Sequence, residues 1–202
     1  CQAAGPGYEA LTQLLATRFA QATQGLRRKQ LAACPIELAV DLRQLAARFD
    51  VDPSAWATQD LRRVLAYLPQ GKPLGLYGRG PNWMYAAVAA HARPADFVHF
   101  DVRCGWVMPP HLRPGQRRPT APGELERKAL KAGTLWTFRL PDAYLDINEA
   151  EGAELPPWPT TGLILSGKMP HWLTTALVRA YDGPWLAVMQ PHSEVAVVVY
   201  SN

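Results

Sequence analysis

Asp101 and Arg103 stand two residues apart at the end of the apolar run Phe97-Val98-His99-Phe100. Alternate residues of a strand share a face, so the pair is expected to point the same way. A carboxylate and a guanidinium presented together can orient a hydroxyl and balance charge on a phosphate. Upstream, Leu74-Gly75-Leu76-Tyr77-Gly78-Arg79-Gly80-Pro81-Asn82-Trp83 reads as a short strand, a glycine turn and a helix opened by Pro81. The free N–H groups at such a helix start, with Arg79 beside them, make an anion site. Tyr77, Gly78, Arg79, Gly80 and Asn82 are its candidate contacts.

The same design returns 89 residues later (167 less 78), as Leu163-Ile164-Leu165-Ser166-Gly167-Lys168-Met169-Pro170-His171-Trp172. At that offset Arg79 meets Lys168, Pro81 meets Pro170 and Trp83 meets Trp172. Strand Phe97–Phe100 meets Leu186–Met189, and Asp101-Val102-Arg103 meets Gln190-Pro191-His192. The second unit thus offers Ser166, Gly167, Lys168, His171 and Gln190 as contacts. An anion held by Arg79, Lys168 and two sets of helix-start amides, with Asp101 and His192 in reach, fits phosphoryl chemistry. The chain contains no G-x-x-x-x-G-K-[ST], no G-x-S-x-G and no H-E-x-x-H. No nucleophilic side chain is indicated, and RNA needs none, because its 2′-hydroxyl can attack the neighbouring phosphate. The protein then has only to align that oxygen and stabilise charge. Asp101 is assigned the base or hydroxyl-orienting role, Arg103 charge stabilisation, and His192, with an ordinary pKa near 6.5, the acid.

Tyr77-Gly78-Arg79-Gly80-Pro81-Asn82-Trp83, followed by Phe100-Asp101-Val102-Arg103-Cys104-Gly105, resembles the compact CRISPR-associated ring nucleases of type III systems. So do Leu165–Trp172, Val188–His192 and Val197–Ser201. The resemblance implies a ferredoxin-like or Rossmann-like α/β sandwich that dimerises, binds cyclic tetraadenylate and linearises it, switching off CRISPR effectors. Manganese-dependent RNA deadenylation is also attributed to the family, which would bring in Mn2+ and single-stranded RNA; ring cleavage itself calls for no cofactor or metal. By motif position the family's acidic residue and arginine fall on Asp101 and Arg103, and its turn arginine on Arg79. The second unit departs, with Gln190 for the Asp, His192 for the Arg and Asn202 for a terminal His. Each unit keeps what the other lacks, which suggests one composite site in a fused pseudo-dimer, or else a binding module that no longer cuts.

The elements that must position these residues are read from periodicity. Leu11, Leu14, Leu15 and Phe19 predict a helix over 8–23, broken at Gly25; Leu38, Leu42, Leu45 and Phe49 predict a second over 36–49, and a third runs 59–68. All three are expected to pack on a sheet. Further helices are expected over 82–91, 124–131 and 171–181, with strands at 74–77, 97–100, 106–108, 134–140 and 185–189. Val195–Val199 reads as a fully buried strand. The repeat is not expected upstream of residue 74, where strand 134–140 would fall on helical residues 45–51. Pro109–Gly123, with His111, Arg113, Arg117 and Arg118, reads as the boundary between the units, and 142–154 as an acidic loop. The fold expected is α/β, a tandem pseudo-twofold pair of ferredoxin-like or Rossmann-like units with extra N-terminal helices. Residues 1–120 hold the helices and first unit (motif core 74–108), and 121–202 the second.

A content of 48% hydrophobic residues in 202 is enough for a real core, and no apolar run is long enough for a membrane span. The net charge of +4 suits a nucleotide or RNA partner. Three isolated cysteines, Cys1, Cys34 and Cys104, without a metal-binding spacing, suggest a reducing cytoplasm and no disulfide framework. A homodimer of the tandem chain is compatible with all of this.

Overall fold

The structure, a computed structural model, describes residues 6–115, 123–140, 145–190 and 195–202, with side chains from residue 13. It is an α/β protein. Helix α1 (Pro6–Ala32) leads into strand β1 (Ala39–Asp41), helices α2 (Leu42–Phe49) and α3 (Asp60–Tyr67), then β2 (Leu74–Tyr77), α4 (Asn82–His91), β3 (Phe97–Asp101) and β4 (Gly105–Val107). Strands β5 (Glu124–Ala129) and β6 (Thr134–Arg139) follow, then a 3-10 turn (Ile147–Ala150), β7 (Leu163–Gly167), α5 (His171–Ala180), β8 (Trp185–Met189) and β9 (Ala196–Ser201).

Two mixed sheets result. The first has the order β1-β2-β3-β4, with β1, β2 and β3 parallel and β4 antiparallel. The second has the order β5-β6-β7-β8-β9, with β6, β7 and β8 parallel and both edges antiparallel. Between them lies α4, in which every residue from Trp83 to Ala89 is buried. A helix apolar all round has to be covered on all sides. Accordingly α4 packs on β2 of one sheet, on β8 and β9 of the other, and along α5.

Helices α4 and α5 run parallel, starts together and ends together. At the ends, Arg93 Nη1 donates to the carbonyls of Val178 (3.2 Å) and Tyr181 (2.8 Å). In return Arg179 donates to Ala89 O (3.3 Å) and Ala95 O (2.9 Å). Each half therefore supplies a cation to the last carbonyls of the other half's helix, where the dipole favours positive charge.

Several expected elements differ. Helix α1 runs through Gly25, around which a Cβ would meet nothing within 4 Å. A mid-helix glycine costs only about 1 kcal/mol, and Leu26–Ala32 carry the helix on. Its Leu14, Leu15 and Phe19 are exposed rather than packed on a sheet. The expected helix over 36–49 is a strand and then a helix. Ala39, Val40 and Asp41 pair with Gly75, Leu76 and Tyr77, and Asp41 Oδ1 then caps α2 by accepting from Arg43 N at 3.0 Å. The first sheet consequently does have a leading parallel strand upstream of residue 74, separated from β2 by α2 and α3.

Residues 124–129 form a strand, not a helix, because β6 offers a partner over the whole length from Glu124–Arg139 to Ala129–Thr134. Strand β9 is an edge: Val197 and Val199 are buried while Val198 is 56% exposed. The Pro-rich boundary is partly built into the second half, since Arg113 N donates to Ala153 O (2.9 Å) and Leu155 N to Arg113 O (2.7 Å). The 3-10 turn lies inside the expected acidic loop. Arg117, Arg118, His192 and Cys1 lie outside the described residues.

Candidate functional site

The two glycine turns sit at the carboxyl ends of β2 and β7, and each has a backbone only glycine accepts easily, with φ of 112° at Gly78 and 114° at Gly167. Their surroundings differ. A Cβ at Gly78 would rest 3.4 Å from Leu42, in ordinary contact, whereas one at Gly167 would overlap the Phe138 carbonyl. Gly80 is also tight, at 2.8 Å from Leu42 Cδ1.

Both helices then start alike. Pro81 and Pro170 are the N-caps, with φ, ψ of −74°, 156° and −66°, 156°. Neither cap supplies a side-chain acceptor, and neither first turn holds an acidic residue. The orphan amides are thus left for water or a ligand. The two starts touch, because Asn82 Nδ2 donates to Met169 O at 3.0 Å. Arg79 and Lys168 flank this contact, both exposed.

Beneath the turns lies a buried aromatic cluster. The Tyr85 hydroxyl donates to Gly78 O. Its ring stacks on His171, the first residue of α5, with centroids 3.8 Å apart and planes 5° from parallel. His99 meets Tyr85 edge-on at 5.5 Å and His171 at 6.4 Å. His99 is fully buried with neither ring nitrogen partnered, and His171 Nδ1 is buried and unpartnered too. Burial, and then the neighbouring His171, push His99 down to about 3; burial pushes His171 down to about 4. The Asp101 carboxylate opposes both shifts, and burial raises the Tyr85 hydroxyl, with Asp101 adding to it. At neutral pH all three rings are uncharged, and Asp101 is the anion that faces them.

Asp101 shares the helix-facing side of β3 with His99, its alternate neighbour. Arg103 does not, because the strand ends at Asp101. The chain turns there, with Arg103 N donating to Asp101 Oδ1 at 2.8 Å and the Arg103 side chain exposed. Tyr77 turns to the opposite face of the first sheet, where its hydroxyl meets Gln30 Oε1 of α1 at 2.6 Å. Ser166 alternates with buried Leu165 and so also faces away from the helices. Gln190 follows β8, its N–H donating to Val195 O at 2.9 Å.

Gly78, Arg79, Gly80, Asn82, Gly167, Lys168 and His171 are thereby brought to one place, with Asp101 at its side. The motifs do not single out Tyr85, and His99, which reads as a packed histidine, is indeed buried. The alternation that pairs Asp101 with Arg103 also pairs it with His99, and Tyr85 is one helical turn beyond Pro81. Among the described residues no three His, Cys, Asp or Glu side chains gather as a metal site, and no helix is long and apolar enough to cross a membrane.

The fold and site define an α/β protein with twin glycine turns at the adjoining starts of two parallel helices. Within it, residues 139–202, from the end of β6 through β9, match the model of a family described as CRISPR-associated protein (Cas_csx3). The carboxyl-terminal third is thus similar to a CRISPR-associated family, and that stretch includes Gly167, Lys168, His171 and Gln190. No curated protein and no solved structure matches the chain.

Proposed function

We propose that the chain binds a cyclic oligoadenylate, most simply the tetramer, across the twin turns and linearises it, as a phosphodiesterase of type III CRISPR signalling. The observation that carries this reading is the Asn82–Met169 contact at 3.0 Å, which joins two uncapped helix starts into one cationic floor. A ring of phosphates offers a repeated anion to a repeated anion site. In the cleavage the 2′-oxygen forms a bond to its own 3′-phosphorus while the bond from phosphorus to the 5′-oxygen breaks. Asp101 takes or orients the proton of the 2′-hydroxyl. Arg79 at the turn answers the charge on the phosphate, with Arg103, which leaves the strand face of Asp101, assigned to the same task by motif position. An acid delivers a proton to the leaving oxygen. His192 is assigned that last role. The products are a 2′,3′-cyclic phosphate and a 5′-hydroxyl, and no metal takes part.

Labelled cyclic tetraadenylate with the purified protein, with and without EDTA, tests the reading. Cleavage that persists in EDTA is expected, as is its loss in Asp101→Asn with ring binding retained or tightened. His192→Ala should slow cleavage by roughly 10²–10⁴-fold. Arg79→Ala and Lys168→Ala should each cost about 1.5–3 kcal/mol of ring binding. Binding without any cleavage replaces the nuclease by a sensor or sponge for the same ring, a reading favoured by Gln190 standing opposite Asp101 in the repeat. Shortening of an adenylate tail that stops in EDTA replaces it by the manganese-dependent deadenylase.

A further inference from the structure

We propose that α1 is the dimerisation element of this protein, pairing antiparallel with α1 of a second copy. Among the residues whose side chains are described, it is those of its last turns that bond to the rest of the chain. Arg27 reaches Asp41 (Nε to Oδ2, 2.6 Å), Gln30 Oε1 meets the Tyr77 hydroxyl, and Gln30 O accepts from Trp106 Nε1 at 2.7 Å. From Gln13 to Leu26 every residue is exposed. Leu14, Leu15, Phe19 and Leu26 stand 51%, 58%, 76% and 57% accessible. A helical stretch of this length, without packing, is marginal in water, and helices in proteins draw most of their stability from an apolar face that is covered.

The pattern on that face says what covers it. Leu15, Phe19, Ala22 and Leu26 follow the 4-3-4 spacing of a coiled-coil seam. The seam is self-complementary when reversed. With a twofold axis between residues 20 and 21, Leu15 lies opposite Leu26 of the second copy, and Phe19 opposite Ala22, large against small. A twofold contact of this kind closes on itself and uses the same patch on both chains. Parallel pairing would set Phe19 on Phe19 and bring the basic runs Arg27-Arg28-Lys29 side by side. The antiparallel pair keeps those runs at opposite ends, away from each other. The globular bodies hang from the carboxyl ends of the two helices and so lie apart.

Sedimentation equilibrium of the full chain across micromolar concentrations tests the pairing. The wild type is expected to dimerise, and Phe19→Glu to raise the dissociation constant at least about tenfold, since it places an unpaired charge in the seam. Val198→Glu, on the exposed edge strand of the second sheet, should leave it unchanged. In a background with Cys1, Cys34 and Cys104 changed to Ser, Leu15→Cys and Leu26→Cys chains should form a disulfide when mixed and not singly. A wild type monomeric throughout, or a dimer indifferent to Phe19→Glu, overturns the proposal. So does dissociation by Val198→Glu alone, which would put the contact on the second sheet. Cross-linking of Leu15→Cys with itself would show parallel pairing and overturn the antiparallel seam.

Discussion

The two turn glycines share a backbone conformation and differ in what surrounds them, so alanine tests each separately. Gly78→Ala pays for a positive φ alone, about 1–3 kcal/mol. Gly167→Ala pays that and must also move the Phe138 carbonyl, so its loss in urea unfolding should be clearly the larger. The buried histidines carry a pH dependence. Their folded pKa values, about 4 for His171 and about 3 for His99, lie below an unfolded value near 6.5. Below pH 6.5 the unfolded chain therefore binds more protons, and stability falls as pH falls, through about 4 and on towards 3. The slope should approach about 1.4 kcal/mol per pH unit for each histidine. Above pH 6.5 they add none. Urea midpoints of His99→Phe and the wild type at pH 7 and 4.5 check this: the variant's fall should be the shallower.

At the scale of elements, the exchanged arginines tie the halves together. Arg179→Met removes donors to Ala89 O and Ala95 O, and each bond to a charged donor is worth about 1.5–3 kcal/mol. Unfolding in urea should show a loss of at least that size, with Arg179→Lys recovering only part of it. Nothing local in the sequence could have disclosed these bonds, because both acceptors are carbonyls some ninety residues away. The strand–turn–helix units were legible for the opposite reason, since glycine, proline and apolar runs act within ten residues. Strand β1 was half legible: Ile36, Leu38 and Val40 alternate, and Asp41 is a good cap, but the Leu spacing suggested a helix. Strand β5 was not legible at all. Glu124–Ala129 is mostly exposed and has no apolar face, and only the presence of β6 decides its conformation. In the site, Arg79, Lys168 and Asp101 could be read from motifs. Tyr85 and His99 could not be told from core residues until their contacts were visible.

In the whole molecule, α4 belongs to the first half by sequence and to both halves by packing. Residues 1–115 and 123–202 produced as separate chains should each be poorly soluble, and co-expression should recover them as one complex that purifies together. The intact chain should unfold in a single transition by circular dichroism and by tryptophan fluorescence alike, because neither sheet is covered without the shared helices. The same burial sets a timetable. On the ribosome α4 emerges with the side meant for β8 and β9 still bare, and about a hundred residues separate its end from those strands. At about 5–20 residues per second, that interval lasts roughly 5–20 s. For that time the nascent chain carries an uncovered apolar helix, which makes it a client for chaperones that hold such segments until β8 and β9 have been made.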